Sequence, residues 1–251
     1  MIFFLACSVP DAPETLDLLG SYLFTEYANP DERYMEQGME NLKTWIDANR
    51  EDVQEGYRIE NISIEAIEAL ELEHETNLEG LIGAAVATDI TLSVEETIEY
   101  VILADPMEIS PDAYGYFERE WDGDVDCFLR KECKQIDYDA DMHNYFPLGI
   151  EISSKVHGQY QWIMAPSGDY VIQRRWMKNP GISNKDWFQV DQDYALTIYM
   201  PNDGGLRFMD MEWIVTLLGD IPVPEDFAIG LAIDSITKNR KRIESYIIEN
   251  Q

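Results

Sequence analysis

The sequence predicts an α+β fold, in which a curved antiparallel sheet wraps around a long C-terminal helix and an N-terminal helical segment precedes the sheet. Strand patterns separated by short turns follow one another from Leu148 to Leu217. A single apolar stripe at helical spacing then runs from Glu225 to the C-terminus. The residues before the seventies show helical spacing instead.

Composition limits the partners that the chain can have. Its 251 residues are 45% hydrophobic and 12% aromatic, enough to bury a core in one large or two small domains. A net charge of −31, from 49 acidic against 18 basic residues, argues against nucleic acid as a partner and indicates a solvated acidic surface. No stretch approaches the length of about 18 apolar residues that spans a bilayer, so we predict no transmembrane helix.

The first residues, Met1 to Cys7, resemble the end of a bacterial lipoprotein signal, with Leu5 and Ala6 before the cysteine. The segment lacks a Lys or Arg at its start, and its apolar run is shorter than the roughly 7–15 residues of a signal peptide. The resemblance implies a lipidated Cys7, membrane attachment and a place in the cell envelope, with residues 1–10 as signal remnant and tether. The alternative is a plain apolar N-terminus.

The remaining two cysteines, Cys127 and Cys133, form a Cys-x5-Cys pair. We expect a disulfide, which suits an oxidising compartment; two buried thiols are the alternative. A metal site is not expected, because the pattern has no second cysteine pair and His74, His143 and His157 are scattered.

The N-terminal segment, residues 11–75, is predicted to be helical. Apolar residues at helical spacing indicate a first helix over Glu14 to Tyr27, and Asn29-Pro30 starts a second that ends near Asn49. Ser63 is predicted to cap a third helix, Ile64 to Leu72. We place a boundary in the seventies, followed by an α+β domain over residues 80–251.

The domain is predicted to open with a strand, Leu81 to Thr91, because charge nearly vanishes there. Ser93 and Glu96 form a capping box, which predicts a helix from Val94. Strands are predicted next at Tyr114 to Trp121 and at Asp126 to Tyr138, and the acidic run Asp137 to Asp141 is expected to interrupt the series.

Asp122, Asp124 and Asp126 imitate the start of a calcium-binding EF-hand loop. The sixth and twelfth positions hold Cys127 and Cys133, where that loop needs Gly and Glu. We therefore predict no EF-hand.

The strand Gly168 to Met177 has two different faces. One carries Tyr170, Ile172, Arg174 and Trp176, and Arg175 lies on the other. Two more strands, Trp187 to Met200 and Leu206 to Leu217, flank the hairpin turn Asn202-Asp-Gly-Gly205.

This order of elements resembles the START-like (SRPBCC, helix-grip) superfamily. The likeness is carried by Gly83 to Ile90, Val94 to Leu103, the strands from Tyr170 to Val215 and the helix Phe227 to Ile248, with patches such as Gln173-Arg-Arg-Trp176. It implies a cavity for an apolar small molecule or lipid beneath the C-terminal helix. Its expected lining is Trp162, Arg174, Trp176, Tyr194, Met211 and Trp213; the alternative for the aromatics and Met211 is plain core.

Two expectations concern single residues of this lining. Trp176 is expected to point toward the C-terminal helix. Arg174 is expected to meet a ligand or an acidic partner such as Asp210 or Glu212, since a buried unpaired guanidinium is very costly. Arg175 is then expected at the surface.

The sequence leaves two main functions open: an envelope lipoprotein that binds an apolar ligand, or a structural or interaction lipoprotein whose core is filled. Catalysis is disfavoured, since the chain contains no Gly-x-Ser-x-Gly elbow, His-Glu-x-x-His pair or phosphate-binding glycine loop. No cofactor is expected.

Overall fold

The computed structural model describes residues 11–70, 72, 74, 78–219 and 225–251. Its N-terminal elements are α1 (Leu16–Glu26), α2 (Arg33–Ala48), α3 (Arg50–Glu55), β1 (Tyr57–Ile59) and α4 (Ile64–Glu68). They are followed by β2 (Ile82–Ile90), α5 (Val94–Leu103), α6 (Pro106–Ile109), β3 (Tyr114–Asp122), α7 (Val125–Leu129) and β4 (Gln135–Phe146). The last elements are β5 (Ile150–Ala165), β6 (Gly168–Met177), β7 (Ile182–Ser183), β8 (Gln189–Asn202), β9 (Gly205–Leu217) and α8 (Glu225–Asn250).

All nine strands of the described chain belong to one curved antiparallel sheet. Their order is β1-β2-β9-β8-β6-β5-β4-β3, with β7 paired to the start of β5. Together with the 26-residue helix α8 this is the predicted α+β helix-grip architecture, which the structure confirms.

Local signals account for several of these elements. Ser93 accepts a hydrogen bond from the backbone N–H of Glu96, whose side chain accepts one from Ser93 in return, so the predicted capping box starts α5. Ser63 caps α4. Gly168 begins β6 at φ 138°, a conformation that residues with a Cβ rarely adopt.

The predicted strand over Asp126 to Tyr138 is wrong in its first half. Asp124 accepts a hydrogen bond from the backbone N–H of Cys127 at 3.0 Å and caps the short helix α7. The strand β4 begins only at Gln135 and continues without a break through the acidic run Asp137 to Asp141, which therefore does not interrupt the sheet.

Both faces of the central strands are buried, each in a different hydrophobic core. The first core joins α1, α2 and α4 to the side chains of Tyr170, Ile172, Trp176, Tyr194, Leu196, Ile198, Met209, Met211 and Trp213. The second joins α5, α7 and α8 to the alternate set that includes Tyr160, Trp162, Val171, Tyr199 and Phe208. We call these the N-terminal face and the α8 face of the sheet.

The N-terminal segment is packed directly on the sheet. Its strand β1 pairs with β2, and the indole N–H of Trp213 donates to the carbonyl oxygen of Glu60 at 2.8 Å. Phe24 is fully buried edge-on against Trp213 and Tyr194. Residues 11–75 and 80–251 thus share one hydrophobic core, and their division into separate domains stays a prediction.

Helix α8 crosses the opposite face. Ile229, Ile243 and Ile247 of its predicted stripe are buried, Ile233 and Ile236 are half-buried, and the side chain of Phe227 lies outside the described residues. No helix in the described part of the chain has the length and apolar composition of a membrane span.

Replacing Phe24 by Ala tests whether the two segments fold together. We expect a loss of about 3–5 kcal/mol in the free energy of unfolding, because a fully buried aromatic ring is removed. Urea unfolding should remain a single transition when followed by both circular dichroism and tryptophan fluorescence. Leu18→Ala, at a side chain 56% exposed on the same helix, is the matched control and should have little effect. A separate early transition in Phe24→Ala would instead support two independent domains.

Candidate functional site

The structure does not bring the six predicted lining residues together. Arg174, Trp176, Tyr194, Met211 and Trp213 lie on the N-terminal face and are buried beneath the N-terminal helices. Trp162 is buried on the α8 face, where its indole N–H donates to the carbonyl oxygen of Phe128 at 3.0 Å. Five of the six therefore pack against α1, α2 and α4, away from the space beneath α8.

The expected orientation of Trp176 is wrong. The predicted alternation along β6 is correct, but its even-numbered side chains face the N-terminal helices. The indole packs at an angle of 46° against His157 with ring centroids 4.7 Å apart, and the guanidinium of Arg174 lies over the indole ring at 5.3 Å from its centroid. Alternation separates two faces without saying which of them a distant helix will cover.

Arg174 has neither of the acidic partners that we expected. It donates to the backbone carbonyl of Phe24 at 3.1 Å and to the side-chain oxygen of Gln159 at 2.7 Å, and it lies 4.5 Å above the ring of Tyr27. Burial lowers the pKa of this guanidinium. Neutral oxygens and aromatic faces therefore hold this cation in place.

Arg175, expected at the surface, faces α8. It donates to Asp193 at 2.8 Å and lies 3.7 Å from Glu212, and the charge of Asp193 raises its pKa. The ladders place these groups on neighbouring strands, because Arg175 is paired with Ala195 and Ala195 with Glu212. We call Arg175, Asp193 and Glu212 the polar triad.

The triad borders a recess under α8. Protein surrounds Arg175 and Glu212 closely enough for burial to affect both pKa values, yet their side chains keep 27% and 21% of their surface accessible. The recess is this accessible part of the α8 face around Arg175 and Glu212. Half-buried side chains that share this face are Tyr114, Phe117, Gln173, Ala195 and Ile214.

The residues beside Arg175 in the sheet are small. Gly158 and Ala195 flank Arg175 in the neighbouring strands β5 and β8. The ring of Tyr138 covers Gly158 so closely that an added Cβ would lie 2.2 Å from it. The hydroxyl oxygen of Tyr138 accepts a hydrogen bond from Gln173 at 2.8 Å, which fixes this wall.

Glu212 has the most perturbed carboxyl group of the triad. Burial raises its pKa to about 8, with a further contribution from Asp193, while Arg175 opposes the shift. Asp193 and Asp210 already face Arg175 and Arg240, so an ionised Glu212 would add an uncompensated charge. Glu212 is therefore mostly protonated at neutral pH and can donate a hydrogen bond.

Two polar atoms of the triad have no hydrogen-bond partner among the described residues: Nε of Arg175 and Oδ1 of Asp193. Buried polar groups normally find a partner, because leaving one unpaired costs about 1–3 kcal/mol. Both atoms are enclosed by the protein, so the triad keeps one donor and one acceptor unsatisfied.

Helix α8 is held at one point of this surface by a buried ion pair. Nε of Arg240 donates to Asp210 at 2.6 Å, a second guanidinium nitrogen donates to Thr197 at 3.0 Å, and the guanidinium lies 4.4 Å above the ring of Phe208. Asp210 raises the pKa of Arg240 against the opposing effect of burial.

A groove of about 560 Å³ lies outside the recess, between α5, α6 and the end of α8. Its lining is Glu99, Tyr100, Leu103, Ala104, Asp105, Glu108 and Tyr246. The three carboxylates make it an acidic surface feature, unlike the apolar cavity expected beneath α8.

Two of the three cysteines lie among the described residues. Cys127 and Cys133 are joined as a disulfide with their Cα atoms 5.2 Å apart. Cys7 lies outside the described residues, as does much of the predicted boundary in the seventies.

Comparisons with known proteins add structural similarity only. No protein-family model matches the sequence, and no curated protein matches it.

Solved structures similar to the chain include a STAR-related lipid transfer protein from Xanthomonas axonopodis, with 10% identity, a TM-score of 0.44 and coverage of 69% of this chain and 96% of that chain. The structure of Ara h 8.0201 is another, with 12% identity, a TM-score of 0.38 and coverage of 68% of this chain and 99% of that chain. The di-domain ARO/CYC BexL from the BE-7585A biosynthetic pathway shows 9% identity, a TM-score of 0.43 and coverage of 84% and 59%. Similarity this low transfers neither a ligand nor an activity to this chain.

The raised pKa of Glu212 predicts a pH dependence of stability. The carboxyl has a pKa of 4.5 when unperturbed and about 8 when folded, so the folded chain holds one more proton between these values. Its contribution to stability is fully present below pH 4.5 and is lost as the pH rises to 8, by up to about 1.4 kcal/mol per pH unit.

Urea unfolding of the wild type and of Glu212→Gln from pH 5 to 9 measures this pH-dependent contribution of Glu212 to stability. The free energy of unfolding of the variant, relative to that of the wild type, should increase as the pH rises to 8 and stay constant above it. Glu96→Gln is the control: a hydrogen bond from Ser93 lowers the pKa of Glu96 below 4.5, so its effect should be constant in this range. A constant difference for Glu212→Gln would show that Glu212 is ionised throughout.

Proposed function

We propose that this chain is a bacterial envelope lipoprotein that binds a small molecule in the recess between the sheet and α8. The observation that carries the proposal is the polar triad, whose side chains retain accessible surface inside the protein. The ligand has an apolar body and one uncharged hydrogen-bonding group, which narrows the apolar small molecule or lipid predicted from the sequence.

The triad supports an uncharged polar group on the ligand. Asp193 and Asp210 already neutralise Arg175 and Arg240, so a charged guest would be left without a counter-charge. An amide or a hydroxyl-bearing group needs no counter-charge and can hydrogen-bond with the accessible parts of Arg175 and Glu212. Protonated Glu212 provides a further donor.

The remaining walls support an apolar body. Tyr114, Phe117 and Ile214 are half-buried and pack against the hydrophobic core of the α8 face. Apolar walls with a few polar groups that orient the ligand are typical of small-molecule sites.

The second candidate is a structural or interaction lipoprotein without a ligand. One observation favours it: the N-terminal face is filled by the chain's own side chains, including Met211 and Trp213, which are 1% and 0% exposed. Under this proposal the recess would hold water alone.

The proposed location rests on the disulfide and on the resemblance around Cys7. A disulfide between Cys127 and Cys133 is stable in an oxidising envelope and is rare in the cytosol. Lipidation of Cys7 would attach the chain to a membrane, with the described domain facing the periplasm or the cell surface.

Filling the recess tests the ligand proposal. Ala195→Leu places a larger side chain between Arg175 and Glu212, and we expect it to weaken uptake of the neutral fluorescent probe N-phenyl-1-naphthylamine at least about tenfold. Native mass spectrometry of protein purified from its own membranes should also show a small-molecule passenger that the variant lacks.

Ala69→Leu, at an exposed position on the N-terminal side, is the matched control and should bind the probe like the wild type. Thermal unfolding shows whether each variant is folded. Equal probe uptake by folded Ala195→Leu and wild type, or a wild type that takes up neither probe nor passenger, would favour the second candidate.

Cys7→Ser tests the anchor. Expressed as the full chain in a bacterial host that processes lipoproteins, the wild type should fractionate with membranes and the variant should be released. Mass spectrometry should show the acyl groups on the wild type alone. An unchanged membrane fraction for Cys7→Ser would contradict lipidation at this residue.

A further inference from the structure

A ring of exposed apolar side chains lies at one end of the sheet. Its members, which we call the apolar rim, are Phe146, Leu148, Ile182, Trp187 and Leu217. Leu148 and Ile182 are the most exposed, at 84% and 76%. Single exposed apolar residues are ordinary, but a contiguous group on neighbouring loops indicates a contact surface.

The rim is one structural unit. The side-chain N–H of Asn184 donates to the carbonyl of Gly149 at 3.2 Å, and its side-chain oxygen accepts from the backbone N–H of Glu151 at 2.9 Å. These bonds tie the β6–β8 loop, which carries Ile182 and Trp187, to the β4–β5 turn, which carries Leu148.

The rim is also continuous with the α8 face. Phe188 packs against the core of that face and lies 6.4 Å from the ring of Phe146 and 6.1 Å from that of Trp187, measured between centroids. Gln189, the first residue of β8, pairs with Leu217. The rim therefore adjoins the α8 face, which carries the polar triad.

Leu148 is an unexpected residue type for its position in the rim. Its backbone is left-handed, with φ 64° and ψ 18°, a conformation in which Asn or Gly is favoured over a branched residue. The side chain gains little packing in return, since it is 84% exposed. A leucine at this position is explained by something outside the chain that it contacts.

The geometry points to a lipid surface as that partner: we propose that the apolar rim inserts into the interface of a bilayer. The apolar side chains project from separate loops, which suits insertion between lipid headgroups, and Trp187 is the residue type favoured at membrane interfaces. Lys185 and Asp186 beside it carry opposite charges. Because the chain carries a net charge of −31, a zwitterionic surface suits it better than an anionic one.

Vesicle binding tests the proposal on full-length chain carrying Cys7→Ser, so that no acyl anchor contributes. We expect this protein to co-sediment with phosphatidylcholine vesicles, and less with vesicles that contain phosphatidylglycerol. Adding Leu148→Asn or Ile182→Asn should lower the ratio of bound to free protein about tenfold, because one apolar side chain is lost from the lipid contact.

Brominated phosphatidylcholine should quench tryptophan fluorescence, and Trp187→Phe should remove most of that quenching.

The controls separate this proposal from its alternatives. Asn tolerates the left-handed backbone of Leu148, so Leu148→Asn should fold at least as well as its parent. Ile64→Asn, at a side chain 58% exposed on α4, should leave vesicle binding unchanged. Ala195→Leu changes the recess and not the rim, so it should also bind vesicles normally, and failure of the ligand proposal would not affect this result.

Three outcomes would overturn the proposal. The first is no binding of the Cys7→Ser protein to either kind of vesicle. The second is an equal loss of binding in Ile64→Asn and Leu148→Asn. The third is a concentration-dependent dimer, seen by sedimentation velocity without vesicles, that Leu148→Asn abolishes, because the rim would then be a contact between two copies of the chain.

Discussion

Burial of both faces of the same strands is the constraint on which the rest of this structure depends. Glu212 and Trp213 are sequence neighbours, yet one faces α8 and the other packs under the N-terminal helices. Every central strand must therefore supply two different surfaces at alternate positions. The N-terminal face is closed mainly by large apolar side chains and also buries Arg174. The α8 face combines apolar residues with the ion pairs of Arg175 and Arg240.

The polar α8 face is costly for stability and informative about function. An ion pair inside a protein contributes little net stability compared with well-packed apolar residues of similar size. Burial has also left Glu212 with a pKa near 8, which a glutamine would avoid. Both faces bury arginines, but on the N-terminal face Arg174 is held by neutral oxygens and aromatic rings, whereas on the α8 face Arg175 lies beside two carboxyl groups.

Sequence reasoning was sufficient for the architecture and not for the site. Alternation and caps located the long strands and α5, because these signals are local; Ser93 and Glu96 illustrate this. Which helices cover which face is decided by long-range packing, such as that of Arg174 on Phe24 at 150 positions apart, so Arg175 rather than Arg174 meets the acidic residues. The triad did have a signal in the sequence. Arg175 on β6 and Glu212 on β9 are polar residues at positions that share one face of the sheet. They become neighbours once the strands are aligned.

The ion pair of Arg240 with Asp210 has a mechanical consequence. The pair binds α8 to β9 near the middle of the helix. After Arg240, Ile243 and Ile247 of α8 are buried in the hydrophobic core that also contains residues of α5. Breaking the pair would leave a buried charge without a partner, at a cost of about 3–5 kcal/mol. Arg240 thus fixes the position of α8 along β9 and its rotation about its own axis, since the cation stays paired only while this side of the helix faces Asp210.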